Sequence, residues 1–156
     1  MMADMLVKLY DIAGKGICDE ELVKKGVTVR RPLAPEKIAV VDWVRQNFGS
    51  YWASECDVAF SQQPITCFAA FKDKEILGFA CYNTTLKGFF GPTAVDESQR
   101  GLGIGKSLIL ACMNAMHAEG YGYAIIGGAG PEAYYAKTVG AIRIEGSEPG
   151  IYKGMI

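Results

Sequence analysis

One short segment restricts the possible folds more than any other part of the chain. Residues 99–108 read Gln-Arg-Gly-Leu-Gly-Ile-Gly-Lys-Ser-Leu, and an apolar run with helical spacing follows at once. Glycines at the start of a helix leave backbone N–H groups uncovered, and the helix dipole adds partial positive charge there. The segment therefore predicts a loop-to-helix junction that binds phosphate. A glycine-rich turn without a ligand is the alternative interpretation of this segment alone.

Two common phosphate-binding motifs do not fit this segment. A P-loop requires a glycine five positions before Gly105, and Arg100 stands there. The dinucleotide fingerprint, begun at Gly101 or Gly103, requires a further glycine where the chain has lysine or leucine. The pattern that fits is Arg-x-x-Gly-x-Gly, formed by Arg100, Gly103 and Gly105.

Length and charge set the broad class. With 156 residues, half of them apolar, the chain is long enough for one domain with a substantial core. Its net charge is −1 and it has no long basic run, so we expect no nucleic-acid partner. No apolar stretch reaches ~18 residues and residues 1–11 lack the pattern of a signal peptide, so we expect no membrane association.

The cysteines and the single histidine provide few candidate ligands for a metal ion and little basis for a catalytic triad. The five cysteines are an odd number and none are spaced as a metal clip, which predicts reduced, buried thiols in a cytoplasmic protein. His117 is the one histidine and falls near the end of a predicted helix, on its surface. We therefore predict no metal site.

The hydrophobic periodicity predicts a mixed α/β domain of the α+β type. Gly91-Pro92 falls inside one predicted strand, and because proline donates no ladder hydrogen bond, that strand should be bulged or unpaired there. We assign residues 1–26 to an N-terminal extension packed on the domain and residues 27–156 to the domain itself. The predicted helices cover residues 19–25, 35–48, 51–60, 103–119 and 131–139, and the predicted strands cover residues 6–12, 27–33, 66–71, 76–82, 88–95, 123–127, 141–145 and 150–155.

Two segments resemble the GCN5-related N-acetyltransferase (GNAT) superfamily. Residues 95–105, which carry Arg100, Gly103 and Gly105, resemble the family's acetyl-CoA signature at a strand end before a helix. Residues 134–141, Tyr-Tyr-Ala-Lys-Thr-Val-Gly-Ala, resemble the family's Phe-Tyr-x-Lys-x-x-Gly block near its C-terminus. The resemblance covers residues 27–156. It implies a single domain with a mixed, mostly antiparallel sheet that is split beside the bulged strand and flanked by helices.

The resemblance also implies a cofactor and its binding residues. Acetyl-CoA would place its pyrophosphate on the glycine loop and its pantetheine arm along the bulged strand, where a backbone N–H would stabilise the oxyanion of a direct attack. Tyr135 is the predicted general acid for the leaving thiolate, with Tyr134 as second choice. The predicted cofactor-binding residues are Thr93, Ala94, Val95, Arg100, Gly101, Gly103, Ile104, Gly105, Lys106 and Ser107.

The acceptor side is less defined by the sequence. Glu55, Asp57 and Glu97 are candidates for the general base by residue type, and a water chain is the alternative. We expect residues 43–60 and 79–83 to form the acceptor site, with Trp43, Tyr51 and Trp52 either lining it or packing in the core.

The sequence supports one leading function and two alternatives. The leading hypothesis is an acetyl-CoA-dependent N-acyltransferase whose acceptor is a primary amine of a small molecule or a peptide. The first alternative is a non-catalytic acyl-CoA-binding or sensing module on the same fold. The second is a P-loop phosphotransferase. Residues 146–156 could end in an exposed strand that pairs two subunits, which makes a homodimer a further expectation.

Overall fold

A computed structural model describes residues 2–16 and 19–156, and Cys18 with its predicted buried thiol lies outside them. Within these residues, short 3-10 turns lie at Leu9–Asp11, Ala34–Glu36 and Glu97–Gln99, between the main elements, and at Gly150–Tyr152, after the last strand. In chain order these elements are β1 Met5–Lys8, α1 Glu20–Lys24, β2 Thr28–Arg30, α2 Lys37–Phe48, α3 Ser50–Ala59, β3 Cys67–Lys72, β4 Glu75–Tyr82, β5 Phe89–Val95, α4 Ile104–Ala118, β6 Tyr123–Ile126, α5 Glu132–Val139 and β7 Ile142–Arg143.

The described strands form one mixed sheet in the order β2-β3-β4-β5-β6-β1-β7. The pairing of β5 with β6 is parallel, and the other described pairings are antiparallel. β1 lies between β6 and β7 and pairs with both. The mixed, mostly antiparallel sheet predicted for this chain is confirmed.

Helices cover both faces of the sheet, and β4 shows how the strand period separates them. Phe79 and Cys81 pack in a core cluster with α2 and α3, whereas Ala80 and Tyr82 pack in a second cluster with α4 and α5. Alternate residues of a strand point to opposite faces, so β4 is buried on both sides. The two clusters hold β4 and β5 in place between the two layers of helices.

The local sequence explains where several elements begin and end. Asp19 accepts hydrogen bonds from the backbone N–H groups of Glu21 and Leu22, and so caps α1. Gly49 has a φ of +98°, which ends α2 and turns the chain into α3. The irregularity predicted at Gly91-Pro92 is present, since the register between β4 and β5 shifts between Ala80 and Tyr82.

Four predicted strands differ clearly from the structure, and two of them, expected at residues 27–33 and 141–145, are only shortened to Thr28–Arg30 and Ile142–Arg143. The strand expected at residues 6–12 is shorter, because Met5–Lys8 pairs in the sheet and Leu9–Asp11 forms a 3-10 turn. The strand expected at residues 150–155 was wrong, because Gly150–Tyr152 forms a 3-10 turn. Gly146, Gly150 and Gly154 all have positive φ there, which an extended strand does not allow. The proposed pairing of two subunits through a strand in this segment therefore loses its basis.

Candidate functional site

The sheet opens between its two parallel strands. β5 and β6 pair only at Phe89 with Ile125 and at Phe90 with Ile126, after which β6 ends. β5 continues to Val95 and there pairs only with β4 among the described strands. A gap therefore starts at Phe90 and Ile126, which we call its narrow end, and widens towards Val95, its wide end.

Backbone groups of β5 face this gap. The Asp96 N–H donates to the carbonyl of Leu77 at 2.8 Å, which makes that pair a hydrogen-bonded one in the antiparallel ladder. By alternation Ala94 also points its backbone groups to β4, so those of Thr93 and Val95 point into the gap. An extended, amide-bearing ligand could pair with them as an added strand does.

The glycine loop connects the wide end of the gap to α4. Gly101 and Gly103 have φ of +85° and +86°, a left-handed conformation that favours glycine. Gly103 is the N-cap of α4 and offers no side-chain cap. The first turn of α4 therefore presents backbone N–H groups without helical acceptors, at the positive end of the helix dipole.

One acidic residue near the loop was not predicted. The Oδ2 atom of Asp19 lies 3.7 Å from the position that a Cβ on Gly103 would take. The sequence identified Asp19 as the start of a helix, but its approach to Gly103 comes from tertiary packing. This carboxylate sets a negative charge beside a loop that is otherwise suited to an anion.

The two predicted tyrosines occupy different environments on α5. Tyr135 is 7% exposed and packs in the α4–α5 core, where burial raises its pKa to about 12. Tyr134 is 41% exposed, and its hydroxyl lies 3.4 Å from the position of a Cβ on Gly105. Val95 approaches that same position to 3.5 Å, so Tyr134 lies near the wide end of the gap.

A third tyrosine, which the sequence did not single out, lies at the narrow end. The Tyr152 hydroxyl is 2.6 Å from the position of a Cβ on Gly127, and the ring of Phe89 is 3.0 Å from it. Only glycine leaves room for both groups at position 127. Burial raises the pKa of the Tyr152 hydroxyl, and the negative charges of Glu55 and Asp4 raise it further.

Among the three acidic residues considered as bases, Glu55 has the most suitable surroundings. It is half-buried on α3 and its carboxylate accepts a hydrogen bond from Thr85 Oγ1. Burial raises the pKa of Glu55, and the hydrogen bond from Thr85 opposes that rise. Asp57 is exposed and lies 2.8 Å from Lys37, and Glu97 is exposed in a 3-10 turn. Because the charge of Glu55 raises the pKa of Tyr152, the two ionisable groups lie close to each other near the narrow end.

The predicted acceptor aromatics divide between core and surface. Trp43 is half-buried, with its ring centroid 6.2 Å from that of Phe79, and it packs in the α2–α3 core. Trp52 is 36% exposed and stacks beside Phe48. Tyr51 is exposed and donates a hydrogen bond to the carbonyl of Ile156 at 2.7 Å, which ties residues 150–156 to α3.

Three cysteines that are distant in sequence meet in the α2–α3 core. The sulfur atoms of Cys56, Cys67 and Cys81 all lie within 4.8 Å of one another, and all three residues are buried. Hydrogen bonding with Cys67 and Cys81 lowers the pKa of the Cys56 thiol. The sequence spacing gave no sign of this cluster, because α3 and two strands bring the thiols together.

The family of this chain follows from a direct comparison. Residues 37–140 match the profile of the Acetyltransferase (GNAT) family. The chain belongs to the GNAT acetyltransferase family. The family profile spans α2 to α5 and thus includes the gap and the glycine loop. No curated protein sequence matches this GNAT chain significantly.

Solved structures show the same GNAT fold at low identity. A GCN5-related glucosamine N-acetyltransferase region of a fungal multi-domain GH3 beta-N-acetylglucosaminidase is 13% identical, with a TM-score of 0.72 over 92% of this chain and 20% of that one. A GCN5-related N-acetyltransferase from Sphaerobacter thermophilus is 18% identical, with a TM-score of 0.70 over 92% and 48%. This chain therefore spans a fifth of the first protein and about half of the second.

A third GNAT structure contains the cofactor. The GNAT family acetyltransferase from Brucella melitensis in complex with acetyl-CoA is 19% identical, with a TM-score of 0.55 over 71% of this chain and 80% of that one.

Within residues 2–16 and 19–156 of the present chain, no helix has the length and hydropathy required to cross a bilayer.

Proposed function

We propose that this protein transfers the acetyl group of acetyl-CoA to a primary amine of a small molecule or a peptide. The observation that carries the proposal is the continuous path from the narrow end of the gap, along the free backbone groups of Thr93 and Val95, to the uncapped start of α4 at Gly103. That path offers partners in the order that acetyl-CoA requires them: thioester, amide-bearing arm, pyrophosphate.

The residues along this path offer hydrogen-bonding groups that suit each part of acetyl-CoA. Backbone N–H groups from Arg100 to Gly105, with Lys106 and Ser107, would hold the pyrophosphate. The backbone groups of Thr93 and Val95, flanking Ala94, would pair with the pantetheine amides, as a sheet edge accepts a strand. Acetyl-CoA supplies an activated acyl group with a thiol as leaving group, so no metal is required for this transfer.

The narrow end supplies groups that accept and donate protons. We propose that the Glu55 carboxylate accepts a proton from the attacking amine, because it is half-buried and held by Thr85. A backbone N–H of β5 that faces the gap, such as that of Thr93, would stabilise the oxyanion. The proton for the departing sulfur comes from a tyrosine. The resemblance favours Tyr135 and then Tyr134, whereas proximity to the narrow end favours Tyr152.

One experiment separates this function from its alternatives. Purified protein is mixed with acetyl-CoA and a panel of amines and peptides, and free thiol release is measured alongside calorimetric binding of acetyl-CoA. Micromolar binding with amine-dependent thiol release supports the proposal. Binding without thiol release across the panel, unchanged by Tyr135→Phe, would favour a sensing module instead. Tight Mg-ATP binding with no CoA binding would overturn the cofactor itself.

A further inference from the structure

The three cysteines of the α2–α3 core lie on the opposite side of the sheet from α4 and α5. The sulfur atoms of Cys56, Cys67 and Cys81 lie within 4.8 Å of one another, and all three residues are 0% exposed. We call this group the thiol cluster. The proposed acetyl transfer uses none of its members. Because thiol sulfur is a ligand for soft metal ions, three converging thiols can bind an ion as well as fill space.

Two of the thiols face each other across adjacent strands. Cys67 in β3 pairs directly with Cys81 in β4. The Tyr82 N–H donates to the Thr66 carbonyl at 3.0 Å, so the next pair along the ladder is a hydrogen-bonded one. By alternation Cys67 and Cys81 form a non-hydrogen-bonded pair, in which side chains approach most closely. The ladder therefore holds these two sulfur atoms side by side.

The third thiol comes from α3. Ala53, Cys56 and Ala59 are the buried residues of this helix, and their three-residue spacing places them on one face. The small alanine side chains on either side of Cys56 let the helix approach the sheet closely. Cys56 thereby joins the pair from β3 and β4, and the three sulfur atoms form a triangle.

The triangle has the size of a metal–thiolate site. Its sides are no longer than 4.8 Å, so its centre lies at most about 2.8 Å from each sulfur. Bonds between thiolate sulfur and metal ions such as zinc are about 2.3 Å long. Each sulfur would therefore move inward by about 0.5 Å or less to bind one ion at the centre.

The surroundings favour an ion that accepts three sulfur ligands. Among the residues that the structure describes, no histidine or carboxylate joins the three thiols at that distance. The core around them is apolar and includes Val40, Val44 and Phe79. Structural zinc sites take four ligands, whereas thiolate and neutral sulfur ligands select Cu(I). The thiol cluster therefore suits a single Cu(I) ion better than it suits zinc.

We infer that the thiol cluster binds one Cu(I) ion, which ties α3 to β3 and β4. Copper–sulfur bonds form to Cys56 and Cys81, their S–H bonds break, and the two protons pass to the buffer. Cys67 donates to the Phe68 carbonyl through its Sγ at 3.6 Å, so this thiol keeps its proton and coordinates through a sulfur lone pair. The ion stays Cu(I), and the site carries one net negative charge, which limits the cost of burial.

The inferred ion is structural and separate from the proposed chemistry. The inference departs from the expectation of no metal site, which considered only cysteines that are close in sequence. It does not depend on the proposed acetyl transfer, because no step of that transfer involves the thiol cluster. An ion that binds the folded chain and not the unfolded one stabilises the fold.

The test uses the full chain, reduced and kept free of oxygen. Protein unfolded in urea is refolded with one equivalent of Cu(I), so that the metal reaches the thiols before the core closes. Bathocuproine disulfonate is then added as a competing chelator, the retained copper is measured, and X-ray absorption counts its sulfur neighbours. We expect one retained Cu(I) with three sulfur neighbours, and a melting temperature several degrees above that of the copper-free protein.

Two cysteine variants decide whether the thiol cluster is the site. Both are made in a Cys18→Ser background, so that this further thiol does not contribute. Cys56→Ala should lower the Cu(I) affinity about a hundredfold and remove the thermal shift, because one of the two thiolates is lost. Cys112→Ala is the matched control. Cys112 is also buried, but it packs in the other core cluster, so its loss should change neither measurement.

Several outcomes would overturn the inference. They are the loss of all copper to the chelator, equal retention by Cys56→Ala and Cys112→Ala, and tighter binding of Zn²⁺ than of Cu(I). If Cys56→Ala does not fold, X-ray absorption of the unmodified protein decides, and fewer than three sulfur neighbours would count against the site. None of these results bears on acetyl transfer, which is judged separately by thiol release from acetyl-CoA.

Discussion

The two ends of the gap between β5 and β6 differ in the groups that line them, side chains at one end and backbone at the other. The narrow end is lined by the side chains of Phe89 and Tyr152, and the charge of Glu55, from a distant part of the chain, acts on Tyr152. The wide end is made mostly of backbone, with the glycine loop and the start of α4 contiguous in sequence. Backbone N–H groups at the start of a helix bind the phosphates of many different ligands. The side chains around a pocket discriminate between one ligand and another. The comparison predicts that changes at the wide end affect cofactor binding and that changes at the narrow end affect turnover.

The largest effect is expected at the narrow end, from Glu55→Gln. Loss of a general base lowers kcat about a hundredfold or more, with little change in KM for acetyl-CoA. Since burial raises the pKa of Glu55 above its ordinary 4.5, kcat should fall as the pH decreases through that raised value. The glutamine variant should lack this acidic limb in a pH–rate profile.

Asp57→Asn is the matched control for Glu55, because Asp57 lies on the same helix but is exposed and paired with Lys37. Its kcat should stay near that of the unmodified protein. An unchanged pH profile in Glu55→Gln would move the base to another residue.

At the wide end, Gly103→Asp should weaken acetyl-CoA binding about fiftyfold, measured by calorimetry. A φ of +86° disfavours residues other than glycine, and the new carboxylate would lie at the start of α4, where the pyrophosphate is proposed to bind. Gly146→Asp is the control, since Gly146 has a φ of +79° and open space around it. Equal affinities of the two variants would contradict the placement of the pyrophosphate.

Substitution of the three tyrosines compares how much a hydroxyl at each position contributes to kcat. Tyr152→Phe should lower kcat about tenfold, because it removes a hydroxyl at the narrow end where proton transfer is proposed. Tyr134→Phe and Tyr135→Phe are measured under the same conditions in steady-state assays. A larger loss in Tyr135→Phe than in Tyr152→Phe would return the role of general acid to the residue favoured by the family resemblance.

A smaller effect, of opposite sign, is expected from Asp19→Asn. Removal of a negative charge beside Gly103 should tighten acetyl-CoA binding about threefold at low salt, since one partly screened charge is involved. Asparagine caps helices as well as aspartate does, so α1 should remain intact. Calorimetry at two salt concentrations checks this, and weaker binding in the variant would show that Asp19 assists the loop.

The smallest effect lies outside the gap. Glu36 accepts hydrogen bonds from the two terminal guanidinium nitrogens of Arg30 and from the Leu33 N–H, and these hold its pKa at about 2. A carboxyl with a lowered pKa stabilises the fold above its ordinary value of 4.5, and that contribution is lost as the pH falls towards 2. Glu36→Gln should therefore lower the free energy of unfolding by about 1 kcal/mol at pH 7, with the difference shrinking below pH 4.5.

Urea unfolding at several pH values measures this difference. Glu21→Gln is the control. The Glu21 carboxylate lies 3.4 Å from Lys24 Nζ, but both side chains are largely exposed, so this pair should contribute almost nothing to the free energy of unfolding. Neither variant should alter kinetics. A change in KM or kcat from Glu36→Gln would show that the distant α2 edge communicates with the gap.

The parts of the site that the sequence predicted are those encoded within a few neighbouring residues. The loop around Gly103 and the irregularity at Gly91-Pro92 depend on glycine and proline conformations, which are local properties. The helices α2 and α4 follow from their apolar spacing and from the glycines that end or precede them.

The remaining parts depend on contacts between distant residues. Nothing near Tyr152 in the sequence indicates that its hydroxyl reaches Gly127, and nothing near Asp19 indicates its approach to Gly103. The meeting of three thiols around Cys56 likewise requires the packing of α3 against β3 and β4. Such pairs become visible only when the tertiary structure is known.

The position of β1 has a consequence for how the protein is made. Met5–Lys8 pairs with Tyr123–Ile126, and its first two residues also pair with β7. On a ribosome, β1 is synthesised before both of its partners, and more than a hundred further residues must emerge before β6 can pair with it. Contacts so far apart in sequence slow folding. Until β6 emerges, the nascent chain carries β1 unpaired, and we expect chaperones that recognise exposed strands to bind it during that interval.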